Sequence, residues 1–352
     1  MTRRPLAPLA LALAAVIAAC GGVDATSTST STSTSTTPTT PVTTAPPSTS
    51  TTTTVVETTV PATSPSAGRT VVDARGESVT ILSTERIIPL DGDVAEIVFA
   101  LGLGDQVVAT DLSATYPPEA DALPQIGYQR SLTAEPIAAF EPTLLLGTDI
   151  ASPPEVLDDL ERLAIPLVIV PSNASSTGAA EKIMAVADAL GAADDGAVLA
   201  AQVQAEIDAA AASAPRRDPA PKVASLYIRG SNARLVFGEA YNTHWLVEAA
   251  GGVDVADELG VTESAEISDE AMIAAAPDVL LVTESGLESV GGVDGLFEQI
   301  PALAQTPAGE RRAVIAYDAQ LLLGNGPRTG QLLADLIADL TTHTAPDGDT
   351  QP

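Results

Sequence analysis

Cysteine is almost absent from this 352-residue chain: Cys20 is the only one. Everything after it lacks both a disulfide framework and a thiolate metal site. Histidine is nearly as scarce, at His244 and His343 alone. Catalysis by general acid and base would fall to carboxylates, and no candidate pair of them stands out. The chain also lacks a phosphate loop, an H-E-x-x-H segment and a G-x-S-x-G elbow, so no enzyme is expected. Basic residues number 16 against 46 acidic ones, for a net charge of −30. Nucleic acid is excluded as a partner, because phosphate binding needs a basic patch. Aromatics make up 3% of the chain, with five tyrosines. Each tyrosine therefore asks for a reason.

What is present begins with a leader. Residues 1–19 read as a secretory signal: Arg3 and Arg4, then the apolar run "PLALALAAVIAA". That run is too short for a spanning helix. It ends at "VIAAC", where small residues precede Cys20 as in a bacterial lipobox. Cleavage there would leave a lipidated Cys20 and a net charge of −32, and the competing reading is a chance thiol inside the signal. Residues 20–68 then carry the Cys and a stretch made almost entirely of Ser, Thr and Pro. Such a segment has too little apolar surface to fold and reads as a disordered tether, open to O-glycosylation. The expected location is the outer face of the cell membrane, with a folded head held off a lipid anchor.

The head alternates short apolar runs with helical patterns. "VVATD", "TLLLG" and "PLVIV" read as strands in its first half, and "KVASLYI", "DVLLV" and "RAVIAY" in its second. Val94, Ile97, Val98 and Leu101 form a helical stripe, with Asp93 and Glu96 placed to cap it and Gly102 to end it. One repeat is visible. "LTAEPIAAFEPTLLL" (132–146) aligns without gaps on "ISDEAMIAAAPDVLL" (267–281), matching Thr133 to Ser268, Glu135 to Glu270 and Pro142 to Pro277. Each copy reads as a hydroxyl N-cap, a Glu in the first turn, a short helix, a Pro break and a buried strand. Recurrence of one unit per half implies two similar lobes. Residues 178–213 read as helix almost throughout, with Leu199, Val203, Ile207 and Ala211 on one stripe and Pro215, Pro219 and Pro221 closing it. The fold class expected is α/β: two similar lobes (69–177 and 215–342) joined by a long rigid connecting helix (178–214), with a ligand cleft between lobes and a disordered tail at 343–352.

Within "IGYQRSLTAEPI" (126–137), Tyr128 and Arg130 lie in a turn that opens onto a helix and a buried strand. Ends of α/β crossovers are where such folds bind ligands. A Gly-Tyr dipeptide is also compatible with a ring that merely packs on the surface.

Together, the lipobox, Thr-rich tether, two α/β lobes and connecting helix resemble the substrate-binding lipoproteins of ABC importers that handle siderophores, cobalamin and haem. "IGYQRSLTAEPI" and "GNGPRTG" (324–330) are similar to signatures of the haem-binding members. The resemblance implies haem as the carried ligand, with Tyr128 as axial phenolate to ferric iron and Arg130 as the cation beside it. It implies one docking Glu per lobe, Glu135 and Glu270, for the two permease subunits; the alternative for both is a first-turn acid favoured by the helix dipole. In the second half, Arg229 and Arg328 are candidates for the haem propionates, Arg328 being otherwise a first-turn polar residue of the last helix, which packs through Leu332, Leu333, Leu336, Ile337 and Leu340. Tyr241 or His244 is the candidate for a second ligand, with Tyr227 joining them only if Tyr128 is a packing residue, and "GSNAR" and "EAYNTH" depart from the family pattern there. Otherwise His244 faces solvent or caps its helix, and Trp245 is core. A ferric siderophore or cobalamin on the same scaffold is the alternative cargo, and a tethered adhesin a further one. A monomer is expected.

Overall fold

The computed structural model describes residues 68–230 and 233–344. The signal, Cys20, the Ser/Thr/Pro stretch and residues 345–352 lie outside them.

The first half opens with an antiparallel hairpin, β1 (Arg69–Val72) with β2 (Ser78–Ile81). Val71 and Ile81 turn inward from it, and Arg69 donates to the Ala189 carbonyl at 2.7 Å. A parallel sheet follows in the order β3 (Ile87–Pro89), β4 (Leu144–Gly147), β5 (Leu167–Ile169). All of β4 is buried, as a continuous apolar run in a parallel sheet requires. The strand expected at 107–111 is present only as isolated parallel bridges, Ile87 to Val107 and Thr110 to Gln125. Its outer neighbour contains Pro124, which has no N–H to extend the ladder.

The second half holds a mixed sheet, ordered β11 (Val314–Tyr317), β10 (Val279–Thr283), β6 (Lys222–Arg229), β7 (Ala233–Phe237), β9 (Ser264–Ala265), with β8 (Val253–Asp254) beside the start of β6. Its parallel part, β6–β10–β11, has the same chain order and spatial order as β3–β4–β5. The repeated segments fall on equivalent places in these two triplets. Residues 132–146 form helix Ala134–Ala138 and central strand β4; residues 267–281 form helix Asp269–Ala275 and central strand β10.

One helix is not what the sequence suggests. Residues 178–213 form two helices, Gly178–Leu190 and Ala193–Ser213, which fold back on each other. Gly191 sits at φ +75° between them, a left-handed turn that stops the first helix. The 21-residue second helix buries Ala200, Val203, Ile207 and Ala210, with Leu199 and Ala211 at the edge of that face. It packs on the 178–190 helix and on the last helix, Thr329–Thr344. Leu332, Leu333, Leu336, Ile337 and Leu340 are buried there. His343 belongs to that helix's last turn, not to a tail.

These helices form a core shared by both halves. One apolar cluster runs from Val94, Ile97 and Val98 through Ile183, Val186, Val203 and Ile207 to Trp245, Leu281, Leu333 and Leu336. Each half has a second cluster on the other face of its sheet. Contact between the halves is thus a packed layer rather than a single rod.

Candidate functional site

In the first half, every parallel segment ends at the same edge. β3 runs out at Asp91, the 107–110 segment at Asp111, the 125–126 segment at Gly127 and Tyr128, and β4 at Thr148. Gly127 has φ +107°, which a residue with a side chain adopts only under strain. Its carbonyl accepts from the Leu112 N–H (2.8 Å). The turn is then pinned three times: Ser131 N–H to Tyr128 O (2.8 Å), Ser152 N–H to Gln129 O (2.8 Å), and Leu132 N–H to Ser152 O (2.9 Å). The Tyr128 side chain is half-buried, and its phenol has no hydrogen-bond partner among the described residues. Arg130 is exposed on the same turn, and no carboxylate lies within ion-pair distance of it among those residues.

Behind this turn lie carboxylates that sequence reading passed over. Asp111 is fully buried and accepts from the Ser113 N–H (2.9 Å) and Ser113 Oγ–H (2.8 Å). Beside it, the Leu112 N–H bond to the Gly127 carbonyl ties loop 111–116 to the Tyr128 turn. Burial lifts its pKa to about 6. Asp91 accepts from the Thr148 N–H (2.6 Å), while its Oδ1 is buried without a partner. Burial, and then the neighbouring Asp93 charge, lift it to about 7.

In the second half, Tyr227, Phe237 and Tyr241 form a run of rings, with centroids 6.0 and 4.5 Å apart. Sheet pairing places Phe237 one step beyond Val236, the partner of Leu226, so the first two rings share a face. Tyr241 is the N-cap of helix Asn242–Ala249. Arg229 is exposed at the end of β6, with no carboxylate in ion-pair range among the described residues. His244 neither faces solvent freely nor caps its helix: its ring lies among Asp254, Glu248 and Asp257. Trp245 is buried in the shared core, as expected. An apolar cavity lined by Leu226, Ile228, Met272, Ile300 and Leu303 also touches Tyr227, but it belongs to this half alone and includes nothing from the Tyr128 turn.

Between the halves lies a polar tie built by the "GNGPRTG" segment and its neighbours. Arg328 grips Glu96 with two parallel bonds of 2.8 Å, and its guanidinium lies 3.8 Å from the Tyr116 ring centre. Gln320 donates to Glu96 (3.0 Å) and to the carbonyls of Gly92 (2.8 Å) and Tyr116 (3.0 Å), and accepts from the Thr115 and Tyr116 N–H groups. Lys182, 1% exposed, pairs with Asp93 and donates to the Gly324 carbonyl (2.7 Å). Asn325 donates to the Asn173 carbonyl (3.1 Å). So Asp93 and Glu96 do not cap the 92–100 helix. Asp91 stands at its N-cap, and the two acids instead pair with the buried Lys182 and the half-buried Arg328. The structure thus groups Tyr128 with Arg130, and Tyr227 with Tyr241, while it sets Arg328 against Glu96. Glu135 and Glu270 are exposed on the first turns of the two equivalent helices.

Residues 87–321 match the family described as periplasmic binding protein. Among solved structures, the chain is 48% identical to the periplasmic heme-binding protein RhuT from Roseiflexus sp. RS-1 in apo form, over 75% of this chain and 100% of that one, with a TM-score of 0.72. It is 30% identical to the periplasmic heme-binding protein HutB of Vibrio cholerae, over 75% and 100%, with a TM-score of 0.65. A shorter match, 33% over 84 residues, links it to the vitamin B12-binding protein of Pectobacterium carotovorum; it spans 24% of this chain and 30% of that relative. A family match over two thirds of the chain, with structural likeness extending over the full lengths of RhuT and HutB, establishes that this chain belongs to the periplasmic binding protein family.

Proposed function

We propose that the chain captures ferric haem in a cleft between its two lobes and delivers it to the permease of an ABC importer. The observation that carries this reading is the Tyr128 turn: a scarce tyrosine, pinned by three backbone bonds, whose phenol and the Arg130 guanidinium two residues on have no partner among the described residues. A phenol with an ordinary pKa of about 10 is a poor ligand when neutral. Ferric iron and the Arg130 cation both favour the phenolate, a known axial haem ligand. RhuT and HutB, the relatives described above as heme-binding, support the same cargo. On the opposite lobe, the Tyr227–Phe237–Tyr241 rings offer an apolar wall to a flat macrocycle, and Arg229 is available for a propionate. Arg328 contributes by holding the floor of the cleft through Glu96, with a propionate as a second demand on it.

Around this site, the lobes 69–177 and 215–342 close by a modest rocking about the shared helical layer. Cys20 carries the lipid, the Ser/Thr/Pro segment is the tether, and Glu135 and Glu270 dock on the permease. The protein works as a monomer at the outer face of the membrane. Family membership places it among carriers, not enzymes.

The test is a titration of the chain with ferric haem, beside a ferric siderophore and cobalamin, read by absorption spectroscopy. The vitamin B12-binding relative makes cobalamin the second reading. Haem should give a Soret band and a phenolate-to-iron charge-transfer band. Tyr128→Phe keeps the ring and removes the oxygen; it should lose the charge-transfer band and bind haem at least tenfold more weakly. Saturable binding of cobalamin with none of haem would replace the reading. An unaltered haem spectrum in Tyr128→Phe would move the iron ligand to Tyr241, Tyr227 or His244.

A further inference from the structure

We infer that the second lobe carries a divalent transition-metal site, separate from the iron ligand, built by His244, Glu248, Asp254 and Asp257. Helix Asn242–Ala249 presents His244 and Glu248 at i and i+4, hence on one face. β8 ends at Asp254, and helix Val255–Leu259 brings Asp257 to the same place. The imidazole Nδ1 lies 3.4 Å from Asp254 Oδ2 and 3.9 Å from Asp257 Oδ1, and Nε2 lies 3.8 Å from Glu248 Oε2. Ligand atoms of His244, Glu248 and Asp257 all fall within 4.8 Å of one another.

Asp254 points beyond an ordinary acidic patch. It is 0% exposed, and its Oδ1 is spent on the Ala256 N–H as a helix cap (3.0 Å). Its Oδ2 is buried, aimed at the cluster, and makes no well-formed hydrogen bond; neither does His244 Nδ1. No Lys or Arg lies within ion-pair distance of Glu248, Asp254 or Asp257 among the described residues; Lys222 goes to Glu258 instead. Three carboxylates thus surround one imidazole with no Lys or Arg among them.

Chemistry selects the class. A mixed set of one imidazole nitrogen and carboxylate oxygens suits Zn²⁺, whereas Ca²⁺ and Mg²⁺ prefer oxygen alone. Bonds of about 2.0–2.2 Å place neighbouring ligand atoms roughly 3–3.5 Å apart. The 3.4 Å pair already fits, and the others close by a small movement of Glu248 and Asp257, both exposed. The ion would clamp the 242–249 helix to β8 and the 255–259 helix. Tyr241 is the N-cap of the clamped helix, and Asn242 follows it, donating to the Leu323 carbonyl (2.7 Å).

The experiment uses the untagged chain with Cys20→Ser, which removes the lone thiol, stripped with chelator and titrated with ZnCl₂ by calorimetry. One equivalent should bind, and the melting temperature should rise with ZnCl₂ concentration. His244→Ala, Glu248→Gln and Asp257→Asn should each weaken binding more than tenfold, since even supporting partners of a metal ligand are worth that much. The last two are exposed changes that leave the Asp254 cap intact. Haem-loaded protein and Tyr128→Phe should bind Zn²⁺ as the parent does. The inference is overturned if no stoichiometric Zn²⁺ binds, if binding follows His343→Ala rather than His244→Ala, or if haem competes it away.

Discussion

At the scale of single residues, the two carboxylates behind the Tyr128 turn set a pH dependence. Burial, then Asp93, lift Asp91 to about 7, and burial lifts Asp111 to about 6. A carboxyl whose folded pKa is raised holds its proton more tightly in the folded chain than in the unfolded one. Its contribution to stability is therefore fully present below the ordinary value of about 3.8 and is lost as pH rises through 6 to 7. Asp73 works in the opposite sense. Burial raises it, but the Arg75 side chain and the Glu77 N–H outweigh burial and hold it below its ordinary value, so its contribution is lost on acidification. Asp91→Asn keeps an oxygen for the Thr148 N–H and removes the charge. Thermal melts between pH 4 and 8 should show the variant melting a few degrees higher than the parent at pH 8, with a flatter profile between pH 5 and 8. A variant less stable at pH 8 would mean that a counter-charge already neutralises Asp91.

At the scale of elements, the repeat is one supersecondary unit built twice, but its caps differ. Ser268 Oγ accepts from the Ala271 N–H at 3.1 Å, whereas Thr133 makes no side-chain cap bond. Ser268→Ala should destabilise the chain by about 1 kcal/mol, the usual worth of such a cap, and Thr133→Ala by well under half of that. Equal losses in denaturant melts would refute the asymmetry. The repeat was legible because both copies place hydroxyl, Glu, Pro and apolar run in the same order, and a parallel central strand demands that order. The Tyr128 turn was legible because a Gly-Tyr pair precedes a short helix and a buried apolar strand. Other features left no local mark. The 178–213 segment reads as one helix because alanine-rich residues on both sides of Gly191 favour helix, and only the packing of one helix on the other reveals the reversal. β3 is only three residues long and ends on Pro89, too short to show an alternation. The ties Asp93–Lys182 and Glu96–Arg328 join residues 89 and 232 positions apart, so Asp93 and Glu96 look like first-turn acids until the fold brings their cations to them.

At the scale of the whole molecule, the shared core and the polar tie limit how far the lobes can part, while Glu135 and Glu270 stand exposed, one on each lobe. Arg328→Ala would strand the nearly buried Glu96 carboxylate, at a cost of about 3 kcal/mol, so ligand-free protein should melt lower. A variant that loses haem affinity with no change in that melt would assign Arg328 to a propionate instead. Glu135 and Glu270 are different in kind. Both are exposed, both sit on first turns of helices at equivalent places in the two triplets, and no cation pairs with either among the described residues. The helix dipole alone makes each worth only about 0.3–1 kcal/mol. Two such carboxylates, one per lobe, suit a transporter with two related subunits, and charges of this sort mainly govern association rate and its salt dependence. Glu135→Ala with Glu270→Ala should therefore leave the haem spectrum and affinity unchanged and lower the melting temperature by no more than a few degrees. Haem uptake by permease in proteoliposomes should fall several-fold at low salt, and the gap from the parent should narrow as salt rises and screens the lost attraction. Each single variant should lie between parent and double variant. Uptake at the parental rate in the double variant, at every salt concentration, would return both residues to the helix-dipole role and require another surface for docking.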